Sequence, residues 1–553
     1  MNAKVNFPPF PTWTWNVPDF FNIGVACTDA HVGTDIENRI AMIVEDDALG
    51  TITVTYGELA IRTSQFAQLL RKQGVNVGDR VLIRLPNSID YPTAFLGAMK
   101  AGCIAVPTST LLTAEEVLYL AEDSGAKVLV MDKAFWPQLA ARIADAPPQN
   151  AVLLQSVTLV LLSGEGQQVE NSPLKVLDLT PALKAITAFS APHATHANDP
   201  AYLVYTSGTT GYPKGVLHAH RALIGREPAA EYWFNFDKQI VDRILHSGKF
   251  NWTYVLGSGL MDPLYRGKTV IVHEGKNDAN LWTRLIAKHD ATIFIGVPTI
   301  YRQIVQKTTA THANVPTLRF CMSAGEHLSD DMLNAWRTRF GMDIYEAVGM
   351  SEFSYYLSQS VHRPIRAGSA GFPQPGHQIK LLNPDTLAEV SRGEEGMIAV
   401  PENDPGLFLR YWNLDEETTK YKHDGYFFTG DYAKVDEDGY LWFLGRRDDI
   451  IKSFGYRVSP YEVERVLKSH PAVADCACVA EEIEKDKLIV SAYVIAQPDQ
   501  TISADELLKF GQQHLAAYKA PKRVYLAKDF PRTKNGKILR REISPTIAVA
   551  KSA

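Results

Sequence analysis

Between about Thr53 and Val130 the apolar positions fall into short continuous blocks separated by longer amphipathic stretches. GDRVLIRLP reads as a buried strand opened by a Gly-Asp turn, IDYPTAFLGAMKAG as a helix stopped by Gly102, and CIAVPTS as the next strand. AEEVLYLAEDSGA follows as a second helix and KVLVMD as a third strand. Strands that are apolar without alternation are buried on both faces, and strands separated by helices pair in parallel. The pattern therefore predicts a layered α/β domain. The rhythm returns at KTVIVHE, LWTRLIAKH and ATIFIGVP, then in a helix to about Lys307 and in LRFCMSAGE.

Between the two sets, the polar stretch SAPHATHANDP (190–200) reads as a surface connector leading into the strand YLVY. Past about Gly371 the chain changes to short strands and turns, which predicts a mostly antiparallel region with Asp438-Gly439 as its tightest hairpin. From Arg446 on, helix, strand, strand and helix patterns end in a basic segment, at a size that suits a small separate domain. The expected division is a large domain at 1–445, layered α/β with a β-rich subdomain, and an α+β domain at 446–553.

Composition narrows the function. The 56 Lys+Arg against 62 Asp+Glu of the 553 residues leave a net charge of −6, so no basic excess exists to neutralise a nucleic acid. Five cysteines are sparse and odd in number, the usage of a reducing compartment; Cys476 and Cys478 fall on one face of a strand and read as core residues. The longest apolar run, Ala151 to Leu162, is too short for the ~20 residues of a membrane span. The first residues hold no apolar signal core, and a cytoplasmic location is expected. A monomer and a homodimer are both compatible with the sequence.

The densest chemistry lies in Tyr205-Thr-Ser-Gly-Thr-Thr-Gly-Tyr-Pro-Lys-Gly215, placed after the strand AYLVY and before a helix expected from about His218. Gly208 and Gly211 let backbone N–H groups converge, Thr206, Ser207, Thr209 and Thr210 add hydroxyl donors, and Lys214 adds a charge. Such a loop suits a polyphosphate, although it lacks the Walker spacing. His218 and His220 have no third ligand at metal spacing and read as structural. Asp436-Glu-Asp-Gly439 lacks the later carboxylates of a calcium loop and reads as a hairpin turn.

With this loop and six further motifs in order, the sequence resembles the AMP-forming adenylating superfamily of acyl- and aryl-CoA synthetases, adenylation domains and luciferases, over roughly residues 50 to 545. Ser323-Ala-Gly325-Glu326 resembles the segment that meets adenine, and Val348-Gly349-Met-Ser351-Glu352 the segment whose glutamate helps hold magnesium. Val348 and Ser351 stand where an aromatic residue and a threonine are usual; Tyr345 offers a substitute aromatic face. Thr429-Gly-Asp431 resembles the ribose-binding element. Gly445-Arg446-Arg-Asp448-Asp resembles the hinge, with Arg446 on the ribose or phosphate edge and Asp448 as pivot. Ser453-Phe454-Gly455-Tyr-Arg457 resembles the loop that pantetheine passes, and the segment ending in Lys537 the one bearing the catalytic lysine. The resemblance implies ATP, Mg²⁺ and coenzyme A, a carboxylic acid activated as its adenylate, and a small mobile C-terminal domain that brings Lys537 and Lys214 to one site.

GKFNWTYVLGSGLMDPLYRG looks most like medium-chain and benzoate-type CoA ligases. The acyl pocket is expected from Phe250, Trp252, Gly296, Val297, Ala324 and the Val348-Gly349 backbone, with flat walls suited to a ring or a short chain. Asn251 falls where relatives that activate amino acids carry an aspartate, which counts against an amino acid. Arg226 either reaches the pocket to pair with a second polar group of the acid or lies on a solvated helix face. No carrier-protein domain is fused to the chain, so free coenzyme A is the expected acceptor, with a separate carrier protein as the alternative.

Overall fold

The computed structural model describes residues 12–144, 156–165, 172, 174–206, 213–325, 328–446, 449, 451–453, 456–484, 487–498, 500–515, 517, 519–532 and 538–551. Strands Arg80–Arg84, Ile104–Pro107 and Ala126–Asp132 pair in parallel, with helices Asp90–Lys100 and Ala114–Ser124 between them in sequence, as the apolar blocks predict. Gly102 ends the first helix at φ 79°, a conformation that strains any L side chain. Thr113 opens the second: its hydroxyl accepts from Glu116 N–H, and the Glu116 carboxylate accepts from Thr113 N–H at 2.7 Å. Leu159–Ser163 and Lys175–Asp178 extend this sheet in parallel.

On its other side the sheet continues with Pro200–Thr206, then Lys214–Ala219, then Arg410–Tyr411, making eight strands. The helix expected from about His218 is thus the strand Lys214–Ala219, antiparallel to Pro200–Thr206. Burial on both faces decides this: Val216 packs into one apolar cluster and Leu217 into another, which strand alternation supplies and a one-sided helix does not. Helical geometry follows the strand only as short 3₁₀ turns at His220–Ala222 and Ile224–Arg226 and one α-turn at Ala229–Tyr232. The strands on either side of the hydroxyl- and glycine-rich loop are thus antiparallel neighbours, and residues 207–212 of the loop lie outside the described residues. The connector at 190–200 is only partly a surface segment, because Thr195 is buried and donates to the Phe21 carbonyl at 2.8 Å.

A second sheet of nine strands carries the repeated rhythm. Ile40–Asp46, Thr269–Glu274, Arg243–His246, Ile293–Gly296, Phe320–Ala324 and Ile344–Met350 are parallel neighbours in that order. Antiparallel strands close its edges. The region after Gly371 forms the expected antiparallel sheet, centred on Gly396–Pro401 and Tyr426–Val435. Asp436 makes its hairpin turn by accepting from Tyr440 N–H at 2.9 Å, and Gly439 sits at φ 88°.

The return strand Leu441–Arg446 contains a bulge. Asp431 pairs with Arg446 and Tyr432 with Gly445, but Ala433 pairs with Phe443, which leaves Leu444 as the extra residue. The Leu444 carbonyl accepts a hydrogen bond from the Ser459 hydroxyl.

The C-terminal part is α+β, with helices Pro460–Lys468 and Ala504–His514 on a four-stranded sheet. Cys476 and Cys478 share its apolar cluster with Val463, Leu467 and Leu507, as their spacing predicts. Among the described residues, no helix is long and apolar enough to cross a membrane.

Candidate active site

Where the carboxyl ends of the two sheets face the antiparallel sheet, a cleft of about 1620 Å³ opens, and Tyr461, Glu462 and Arg465 of the C-terminal part reach its wall. It gathers Thr206, Lys214, Trp252, Ala324, Gly325, Val348, Gly349, Ser351, Glu352, Asp431 and Arg446, residues spread over 240 positions of sequence. Ser207, Gly208, Thr209, Thr210, Glu326, Asp448, Phe454, Gly455 and Lys537 lie outside the described residues.

Glu352 is held from three directions. Its carboxylate accepts from the Tyr411 hydroxyl at 2.7 Å, its own carbonyl accepts from Phe408 N–H at 2.8 Å, and the preceding Ser351 carbonyl takes the His218 Nε2 at 2.8 Å. His218 stacks on Tyr202 with ring centroids 4.7 Å apart, and burial lowers its pKa to about 3, so it is neutral and donates from Nε2. His220 is buried in the same neutral state, its Nδ1 accepting from Ile23 N–H. Each histidine is thus tied to the backbone, His218 to the Ser351 carbonyl and His220 to Ile23 N–H. Lys214 points along the same wall, paired with Glu417 at 2.5 Å and lying 5.7 Å from the Tyr411 ring centroid.

Asp431 and Arg446 face each other across the hairpin, Arg446 Nε 3.4 Å from Asp431 Oδ1. Asp431 N–H donates to the Thr429 hydroxyl, which in turn donates to the Ile398 carbonyl, so the carboxylate projects from a fixed backbone.

The acyl-pocket expectation divides. Trp252 lies on the wall, its indole so close to Gly325 that a Cβ there would approach ring carbons to 3.0 Å. Tyr254 stands edge-on to it at 5.1 Å. Phe250 is instead a core residue: it is fully buried against Tyr91, and its N–H is taken by Asn87. Gly296 and Val297 do not line the cleft either; a Cβ on Gly296 would meet the core rings of Tyr301 and Phe294. Tyr345 does not line the cleft: it stacks on Phe320 at 4.4 Å, and Val348 stands on the wall. Ser453 is buried away from the cleft, and Arg457 belongs to the strand Tyr456–Val458.

Neither reading of Arg226 survives. It is buried in an ion pair with Asp262, Nε to Oδ1 2.9 Å, and reaches Tyr202 at 3.4 Å. The sequence offered no sign of this partner, which lies 36 residues away on another turn.

Glu346 was missed because nothing in its local sequence separates it from a surface acid. It lines the cleft beside Val348 while 6% exposed, and burial pushes its carboxyl up to about 8. It is therefore protonated at neutral pH and can donate a hydrogen bond. A group whose folded pKa is raised holds its proton while the unfolded chain has lost it, so its contribution is intact below about pH 4.5 and is lost as pH rises toward 8. Glu346→Gln is expected to remove that loss, on the order of a few kcal/mol. The difference in unfolding free energy between variant and parent should grow from pH 5 to pH 8 in the variant's favour; a pH-independent difference would contradict the assignment.

Two α/β sheets, a β-rich third layer and a small α+β C-terminal part meeting at one cleft make up the architecture of the adenylate-forming CoA ligases. The chain belongs to the AMP-binding enzyme family, whose model matches residues 32–412, and the model of the AMP-binding enzyme C-terminal domain matches residues 462–537. It is 32% identical to the benzoate–CoA ligase of Thauera aromatica over 500 residues, covering 88% of this chain and 89% of that one. It is 32% identical to the 3-hydroxybenzoate–CoA ligase of Aromatoleum, covering 88% and 91%. The crystal structure of ATP-bound MatB from Rhodopseudomonas palustris superposes with a TM-score of 0.82 at 27% identity, over 94% of this chain and 98% of that one.

Proposed function

We propose that the chain is an ATP-dependent carboxylic acid–CoA ligase that forms an acyl-adenylate with release of pyrophosphate and then transfers the acyl group to coenzyme A, releasing AMP. The observation that carries this reading is the meeting of Lys214, Glu352, the Asp431–Arg446 pair and Trp252 in one cleft. CoA ligases among its relatives support free coenzyme A as the acceptor over a carrier protein.

In this reading the acid lies against Trp252 and Ala324 with its carboxylate toward the α-phosphorus. Attack there shifts charge onto the leaving pyrophosphate and the α-phosphoryl oxygens, so fixed cations and donors along that path lower the barrier. Lys214 and the hydroxyls of Thr206, Ser207, Thr209 and Thr210 hold the phosphates. Asp431 accepts the ribose hydroxyls, Arg446 fixes its orientation, and Gly325 with Val348 and Gly349 leaves a flat slot for adenine. Glu352, a buried carboxylate with one oxygen engaged by Tyr411, would hold magnesium, which would neutralise part of the phosphate charge.

The division at 445/446, the pivot at Asp448, the catalytic role of Lys537 and the coenzyme A contacts of Ser453, Phe454, Gly455 and Arg457 belong to this proposal. So does a cytoplasmic location, which five buried free cysteines suit.

An aromatic acid is the favoured substrate class, because Trp252 and Tyr254 present an indole and a phenol edge to the pocket and relatives act on benzoates. The test is a panel of aromatic and aliphatic acids with ATP, Mg²⁺ and coenzyme A, resolving AMP from ADP and weighing the acyl-CoA. AMP with an aryl-CoA supports the reading; pyrophosphate exchange without thioester moves the acceptor to a carrier protein. Trp252→Ala should lower kcat/KM for a benzoate-sized acid roughly tenfold and spare bulkier acids. An unchanged acid preference would place Trp252 outside the pocket's selectivity.

A further inference from the structure

Against the cleft-lining Lys214 stands an acid that the proposed chemistry does not call for. Glu417, on the short helix Asp415–Lys420, turns its carboxylate onto Lys214, with Nζ to Oε1 at 2.5 Å. The pair is well shielded, the two side chains 15% and 23% exposed. Lys214 lies over the Tyr411 ring, whose hydroxyl donates to Glu352; these three line the cleft, and Glu417 engages the lysine without lining it. Lys420 lies 3.8 Å from the other Glu417 oxygen and also lines the cleft.

We infer that Glu417 is a built-in competitor for the phosphate-binding lysine: it holds Lys214 when the cleft is empty and reclaims it as pyrophosphate departs. This rests on the reading of Lys214 as a phosphate ligand. The physical argument is one of exchange. A lysine with no counter-ion would grip a polyphosphate on both sides of the reaction, slowing release of the product as well as favouring the substrate. A carboxylate at hydrogen-bond distance subtracts the same amount from both, because Lys214 must leave Glu417 before it can bind either. Glu417 is fit for the task because its own pKa is lowered, first by the hydrogen bond from Lys214, so it is charged at neutral pH. It sits outside the adenine, ribose and acid surfaces and touches the reaction only through the lysine.

Calorimetric titration of MgATP and of magnesium pyrophosphate tests this without requiring turnover. Glu417→Gln should bind both ligands about fivefold to tenfold more tightly than the parent, and pyrophosphate should become the stronger product inhibitor by a similar factor. Lys214→Ala and the double variant should bind them equally within about twofold, since the competitor has nothing to hold once the lysine is gone. Unchanged or weaker binding in Glu417→Gln would overturn the inference. So would equal tightening in the Lys214→Ala background, which would mean direct repulsion of phosphate instead of competition for the lysine. A parent protein that binds MgATP but makes no acyl-CoA would count against the ligase reading alone; a parent that does not bind MgATP would remove the basis of both.

Discussion

Lys537→Ala is expected to slow the AMP-forming half-reaction about 10²–10³-fold, the effect of deleting one preorganised charge at a developing phosphoryl anion. In the proposed reaction the carboxylate attacks a phosphorus already surrounded by negative oxygens, and Lys214 is committed to the leaving phosphates. A second cation must therefore neutralise the acid oxygen and the α-phosphoryl group together, and the sequence supplies it 323 residues downstream of Lys214, in a segment that resembles the family's lysine motif. The two half-reactions separate the outcomes. Acyl-adenylate supplied to the variant should still pass to coenzyme A at a rate within about fivefold of the parent, because no phosphoryl charge develops in that step. Equal slowing of both steps would make Lys537 a structural residue of the C-terminal part.

Glu352→Gln is expected to lower kcat about 10²-fold and to raise the magnesium concentration needed for half-maximal rate. The amide keeps an oxygen to accept from Tyr411, so the local fold persists while the charge is lost. Glu352→Ala removes the acceptor as well, and leaves a buried phenol unsatisfied at a cost of about 1–3 kcal/mol. A stable glutamine variant with an unchanged magnesium dependence would remove the carboxylate from the metal's coordination.

The parallel strands were legible because burial on two faces writes itself as an unbroken apolar run: IFIG at 293–296 and VLIR at 81–84 could scarcely be anything else. Lys214–Ala219 was misread because Lys-Gly-Val-Leu-His-Ala carries no clear alternation; only the partner strand, Pro200–Thr206, and the two apolar clusters it divides make it a strand. Among the residues that line the cleft, those with a motif behind them stood out in the sequence, at Lys214, Val348, Glu352 and Asp431. It was not legible where a side chain's meaning depends on a distant neighbour. Phe250 and Trp252 differ by two positions in sequence, yet one faces Tyr91 and the other the cleft. Arg226 needed Asp262, and Glu417 needed Lys214 across 203 residues. Glu346 looks like any acid until the wall around it is in place.

The extra residue at Leu444 has a consequence for how such chains can vary. Side chains alternate along a strand, so with Leu444 taken into a regular ladder Asp431 would face Gly445, and Arg446 would turn to the far side of the hairpin. The bulge also frees the Leu444 carbonyl from the ladder, and Ser459 takes it. Loss of this one residue would leave every motif of the chain spelled in full and in order. Asp431 would still meet Arg446, because a regular ladder running on from Ala433 and Phe443 pairs them, but the Leu444 carbonyl that Ser459 holds would be gone and with it a contact of the C-terminal part. Here the count of residues between two motifs carries as much information as the motifs themselves.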